Sequence, residues 1–223
     1  MFTVELEGST ENIRVGSIIC IGRNYAKHAK EMKSDVPESP VFFLKPPSAL
    51  LRDGGTIVIP SISKDVHHEV EMTVLIGKGG KNIPESSALE YVAGYGVGLD
   101  MTMRDVQAEA KNKGLPWSLA KGFDTSAPVS RFVAASKVPN PRTMKLELSA
   151  NGALRQQGTT EDLIFSVQTL IAYLSQFLTL APGDILFTGT PEGVAQVHPG
   201  DRLEAALKNA VGQTLTTLNV RVQ

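Results

Sequence analysis

The chain has 223 residues, 42% of them hydrophobic and 20% charged, with a formal net charge of −1. That balance excludes a disordered or collagen-like chain, and it gives no basic field for nucleic acid or an anionic membrane surface. One cysteine, Cys20, excludes an internal disulfide, and at this length folding buries roughly 70% of the unfolded surface, so no such staple is needed.

The first residues, MFTVELEGSTENIRVGS, show no basic segment leading into an apolar core, so no signal peptide is expected. No apolar run nears the ~18 residues that a membrane span requires. The expected setting is the reduced cytoplasm, and the length suggests one large domain, 1–223, with residues 1–14 as a short leading segment.

The predicted elements run as follows. SIICIG reads as a strand, with Cys20 a buried small hydrophobe inside it. The turn GRN leads into NYAKHAKEM, a short helix on which His28 and Glu31 are neighbours three residues apart. A carboxylate beside an imidazole can orient it as a general base; the plainer alternative is a surface contact. The helix can serve as a flap over a site. VFFLKP and TIVIP read as strands.

HHEVEMTVLIG is the most charged entry into an apolar run. As a strand it places His67, Glu69 and Glu71 on one side and His68, Val70, Met72 and Val74 on the other. Glu69 and Glu71 then stand about 6.5–7 Å apart along the chain. Two such carboxylates repel unless a proton or a cation lies between them. A Gly-rich strand, VAGYGVGLD, ends at Asp100 and offers a third carboxylate. Three oxygen donors without cysteine favour Mg²⁺ or Mn²⁺ over Zn²⁺. The plainer reading is a solvated face of an antiparallel sheet. Iron held by His67 and His68 is disfavoured, because adjacent strand residues point to opposite faces.

TMRDVQAEAKNKG reads as a helix, with Thr102 and Asp105 at capping-box spacing and Gly114 just past its end. Arg104 and Gln107 share a face of it and can hold a substrate carboxylate; the plainer alternative is that they are simply solvated. Lys121, in LAKGFDTSAP, is placed to stabilise an oxyanion if buried. LELSANGALRQQG reads as a hairpin turning at Asn151–Gly152. IFSVQTLIAYLSQFLTL is the strongest helix by apolar spacing. FTGTPEGV lacks the GxxxxGK(S/T) pattern of a phosphate loop, and Thr190 is the side chain of interest there. Many strands and three clear helices predict a β-rich α+β fold.

CIGRNYAKHAKEM, PVFFLKPPSAL, HHEVEMTVLIGK, GYGVGLDMTMRDVQ, KGLPWSLAKGFDTSAPVS, NGALRQQGTT and GDILFTGTPEGV, in this order, resemble the fumarylacetoacetate hydrolase family, in its small single-domain acylpyruvase and oxaloacetate decarboxylase type. The resemblance runs from about Ile13 to the C-terminus. It implies a β-rich mixed-sheet roll and a homodimer. It implies Glu69, Glu71 and Asp100 as ligands of Mg²⁺ or Mn²⁺, His28 and Glu31 as a lid dyad, Lys121 facing substrate, and Arg104, Gln107 and Thr190 in substrate contact. The activity it implies is hydrolysis of the C–C bond of 2,4-dioxo acids such as acetylpyruvate or fumarylpyruvate, through a metal-bound pyruvate enolate. Oxaloacetate decarboxylation, oxaloacetate keto–enol tautomerisation and hydroxy-diene-dioate isomerisation are the alternatives on the same site. A non-catalytic binding protein is disfavoured by the presence of both His28 and Glu31. GVAQVHPGD departs from the family's usual Gly-Val-Gly-Pro. Ser34, Asp35 and Val36 are expected to help choose the acyl group.

Overall fold

The computed structural model describes residues 1–31 and 35–223. Eight strands form one mixed sheet. In spatial order they are Val41–Lys45, Ile18–Gly22, Ile185–Phe187, Val70–Ile76, Val92–Leu99, Ala127–Val129 and Leu50–Arg52, with Val133–Ala134 also pairing with Val92–Leu99. Ile185–Phe187 runs parallel to Ile18–Gly22, and Ala127–Val129 parallel to Leu50–Arg52; the other pairs are antiparallel. A five-stranded sheet has the order Ala153–Thr159, Lys145–Ala150, Arg202–Lys208, Thr214–Val222, Thr56–Ile57.

The main core lies where these two sheets and one helix meet. Met72, Val74, Tyr95 and Val97 from the first sheet pack in one cluster with Leu146, Leu148, Leu203, Leu207 and Leu218 from the second. Leu170, Ile171 and Leu174 of helix Val167–Phe177 complete it. Ser166 caps that helix by accepting from the Thr169 N–H. A smaller cluster on the other face of the large sheet contains Ile18, Cys20, Leu75, Val129, Phe132 and Phe187. Cys20 is fully buried, as expected.

The expected α+β class, rich in strands, is the observed one. Among the described residues there are four α-helices: Ala26–Glu31, Arg104–Lys113, Ser118–Lys121 and Val167–Phe177. The third, a single turn, is too short to show apolar periodicity. The hairpin at Asn151–Gly152 forms, with φ of 53° and 78°. Gly114 takes a left-handed φ of 65° at the end of its helix.

Two expectations fail locally. Thr102 does not cap the helix. It lies in the short strand Thr102–Met103 and gives its hydroxyl proton to the Asp100 carbonyl, so Met103 takes the cap position without a side-chain bond. Asp105 instead accepts from the Ser63 hydroxyl and the Lys64 N–H, pinning the loop before His67. HHEVEMTVLIG is not one strand: it divides at Glu69 into Val66–His68 and Val70–Ile76, which join different sheets. Val66–His68 pairs with Thr102–Met103 and Ala195–Gln196. No helix among the described residues is long and apolar enough to cross a membrane.

Candidate active site

The division at Glu69 leaves the expected carboxylate geometry intact. Val70 pairs with Leu99, and the Asp100 N–H donates to the Glu69 carbonyl at 2.9 Å, so Asp100 lies directly across from Glu69. Glu71 lies two residues further on the same face. Carboxylate oxygens of Glu69, Glu71 and Asp100 all fall within 4.8 Å of one another. The three residues are 4%, 1% and 1% exposed. Gly98, opposite Glu71, has no room for a side chain: a Cβ there would meet the Phe187 ring at 2.7 Å.

Three like charges in a buried cluster require positive partners. Lys121 supplies one, its ammonium donating to Glu69 Oε2 at 2.7 Å and Asp100 Oδ2 at 2.6 Å. Lys45 supplies another, 2.8 Å from Asp100 Oδ1, and donates to the carbonyls of Met101, Lys121 and Ser126. Arg104 donates to Glu69 Oε1 and to Gln107 Oε1. Burial raises the Glu69 carboxyl, but Lys121, Arg104 and His28 outweigh it and hold it well below the usual carboxylate range. Glu71 behaves in the opposite way. Burial, then Asp100 and Glu69, push it well above that range, and its main relief is the Gly189 N–H at 2.6 Å. Among the described residues Glu71 has no ion-pair partner. The repulsion at Glu71 is relieved by a proton or by a cation, and the donors a cation would meet there are all carboxylate oxygens. That donor set fits Mg²⁺ or Mn²⁺.

His28 lies in the same cleft, on helix Ala26–Glu31. Its Nδ1 is 3.2 Å from Glu31 Oε2. A proton on Nδ1 donated to Glu31 leaves Nε2 as the basic nitrogen. Glu31 also accepts the Gly193 N–H at 3.1 Å, which ties the helix to the loop after Thr190. Asn24 secures the other end: its amide donates to the Thr188 carbonyl at 2.8 Å and the Phe165 carbonyl at 3.0 Å.

Every residue expected in the site except Glu31 lines this one cleft: His28, Glu69, Glu71, Asp100, Arg104, Gln107, Lys121 and Thr190. Glu31 reaches it through His28. His67 does not join; its Nε2 pairs with Asp65 at 2.8 Å. Ser34 lies outside the described residues; Asp35 and Val36 are exposed.

Sequence reasoning missed several contributors. Lys45 closes an apolar run, and only its lone charge among Val41–Leu44 and two prolines marked it. Gln156, 1% exposed, accepts the Val70 N–H at 3.0 Å and faces His68 Nδ1 at 2.9 Å. Its amide nitrogen then donates to Thr190 Oγ1 and the Pro191 carbonyl, both at 2.9 Å. This amide clamps the Glu69 break to the Thr190 loop, and no local pattern announces it. Arg23, Lys111, Phe43 and Trp117 also line the cleft.

Comparison with known proteins agrees with this architecture. Residues 17–223 match the family model described as fumarylacetoacetate (FAA) hydrolase C-terminal. Oxaloacetate tautomerase FAHD1, mitochondrial, of Mus musculus is 50% identical over 195 residues, 87% of this chain and 88% of that one. The crystal structure of fumarylpyruvate hydrolase from Pseudomonas aeruginosa, in complex with Mn²⁺ and pyruvate, superposes with a TM-score of 0.91 at 42% identity, covering 100% of this chain and 96% of that chain. The 5-carboxymethyl-2-hydroxymuconate delta-isomerase from Mycobacterium smegmatis does so with a TM-score of 0.82 at 35% identity, covering 95% and 80%. The chain belongs to the fumarylacetoacetate hydrolase family.

Proposed function

We propose that this protein is a divalent-metal enzyme that cleaves the C–C bond of 2,4-dioxo acids, R–CO–CH₂–CO–COO⁻, by hydrolysis. Glu69, Glu71 and Asp100 would hold Mg²⁺ or Mn²⁺. When bound, the metal supplies Lewis acidity toward the carboxylate and 2-oxo oxygens. The observation that carries the reading is the His28–Glu31 pair facing that carboxylate cluster across one cleft. Outside support comes from the fumarylpyruvate hydrolase structure, which is in complex with Mn²⁺ and pyruvate.

Glu31 keeps the Nδ1 proton of His28 in place, and Nε2 removes a proton from water. The resulting hydroxide adds to the C4 carbonyl, and the C3–C4 bond breaks. The released electron pair resides on C3 and the 2-oxo oxygen as pyruvate enolate, and the acyl part leaves as R–COOH, which then loses its proton to water. The imidazolium returns a proton to C3. Lys121, held beside the carboxylates, contributes positive charge where the oxyanion develops. Arg104, Gln107 and Thr190 orient the substrate head. Gln156 donates to Thr190 Oγ1 and the Thr190 hydroxyl donates to the Pro191 carbonyl, so the side chain is held at the cleft wall.

A second reading is favoured by the relative named oxaloacetate tautomerase. There His28 moves a C3 proton with no water attack, and no bond between carbons breaks. Decarboxylation of oxaloacetate would pass through the same enolate. The homodimer and action on small-molecule acids alone belong to the same proposal.

The test is turnover of fumarylpyruvate, acetylpyruvate and oxaloacetate with Mn²⁺ by the wild type and His28→Asn. Loss of the base is expected to lower kcat by about 10²–10⁴-fold. Unchanged kcat in the variant overturns the assignment of His28, and wild-type turnover of oxaloacetate alone moves the conclusion to the second reading.

A further inference from the structure

The cleft contains more positive charge than its carboxylates use. Lys45, Lys121 and Arg104 are each paired with Asp100 or Glu69. Arg23 and Lys111 line the same cleft, yet among the described residues neither makes an ion pair with a carboxylate. Burial and then the neighbouring cations Arg104 and Arg23 lower the Lys111 ammonium from its ordinary value, so the rim crowds like charges together. A divalent ion at the acidic cluster would add further to the excess.

The two cations are also positioned. Lys111 Nζ lies 5.3 Å from the centre of the Trp117 ring, a cation–π distance. Trp117 packs against Phe43 at 5.9 Å between ring centres, and both rings form a wall of the cleft. Arg23 has a φ of 61°, unusual for a residue with a side chain. Such strain persists only where the surroundings hold it, and it concentrates at functional sites. Here the buried Asn24 beside it anchors the turn to Thr188 and Phe165.

We propose that Arg23 and Lys111 form a subsite for a second carboxylate, so that the enzyme selects dianionic 2-oxo acids over monoanionic acylpyruvates, whose acyl group is uncharged. The 2-oxo carboxylate end would lie beside Arg104, at the divalent ion that Glu69, Glu71 and Asp100 would hold. The distal carboxylate reaches the rim, between the Arg23 guanidinium and the ammonium held over Trp117. This rests on the function proposed above and narrows its R group to one ending in a carboxylate.

The test separates the two levels. Calorimetry of the Mn²⁺-loaded protein compares pyruvate, 2-oxoglutarate and the 5-methyl ester of 2-oxoglutarate, for wild type, Lys111→Met, Arg23→Gln and the double variant. Turnover of fumarylpyruvate and acetylpyruvate is measured beside it, and thermal midpoints check folding. The wild type is expected to bind the dianion about tenfold more tightly than the ester, the size of one well-placed charge contact. Each single variant should lose most of that preference, and the double variant all of it, with pyruvate affinity unchanged. For turnover the loss should fall on KM for fumarylpyruvate and spare acetylpyruvate. Equal wild-type affinity for dianion and ester, or variants that weaken pyruvate as much as the dianion, overturns the subsite while leaving the parent reading intact. Failure of the wild type to bind any of the three ligands overturns both.

Discussion

Val70–Ile76 and Arg202–Lys208 are both seven-residue strands, yet they follow different rules. In Arg202–Lys208 buried residues alternate with more exposed ones, and Leu203, Ala205 and Leu207 face the main core. In Val70–Ile76 every side chain is buried. One face of it, Val70, Met72, Val74 and Ile76, joins the main core. The other carries Glu71 in the cleft and Leu75 in the smaller cluster. A strand at the edge of water balances its charges with solvent; a strand covered on both faces must balance them with specific partners. The same contrast separates two ion pairs. Lys45–Asp100 is sealed from water, whereas Lys208–Glu147 is only partly covered.

The largest expected separation comes from those pairs. Lys45→Met should destabilise the protein by about 3–5 kcal/mol, because it leaves Asp100 Oδ1 and the Met101 and Ser126 carbonyls without their buried ammonium donor. Urea unfolding monitored by circular dichroism measures this, and an unchanged midpoint would show that Lys121 alone balances the cluster.

A smaller effect appears with pH. Burial is the main cause holding the His68 imidazole below its ordinary value of 6.5, with the Gln156 contact opposing it. The unfolded chain therefore takes up this proton first as pH falls. Stability from neutral His68 is full above about 6.5 and declines as pH falls from there toward the lower folded value. His68→Asn keeps a donor toward Gln156 and removes the titration. The difference in unfolding free energy between wild type and variant should be flat well above pH 6.5 and should slope as pH falls below it. A flat difference throughout refutes the account.

The smallest effect is expected in the alternating sheet. Lys208→Met should change stability by less than about 1 kcal/mol, since a partly solvated pair returns its partner to water. A loss as large as that of Lys45→Met would erase the distinction between the two strands.

Local chemistry was readable along the chain. Carboxylates at i and i+2, an imidazole and a carboxylate at i and i+3, an Asn-Gly turn and an apolar helical stripe depend on backbone periods alone, and each appears in the structure as expected. Thr102 shows the limit: its spacing to Asp105 suits a cap, but the chain ahead of the helix is held as a strand by Val66–His68, and its hydroxyl turns to Asp100. Lys45, Gln156 and the Arg23–Lys111 pair carry no such local mark. Each takes its meaning from groups distant in sequence: Asp100 for Lys45, Val70 and Thr190 for Gln156, and the missing carboxylate for the two rim cations. Residue type and spacing state which groups are available to a site. Burial decides which of them must find partners, and burial is a property of how the sheets close on one another.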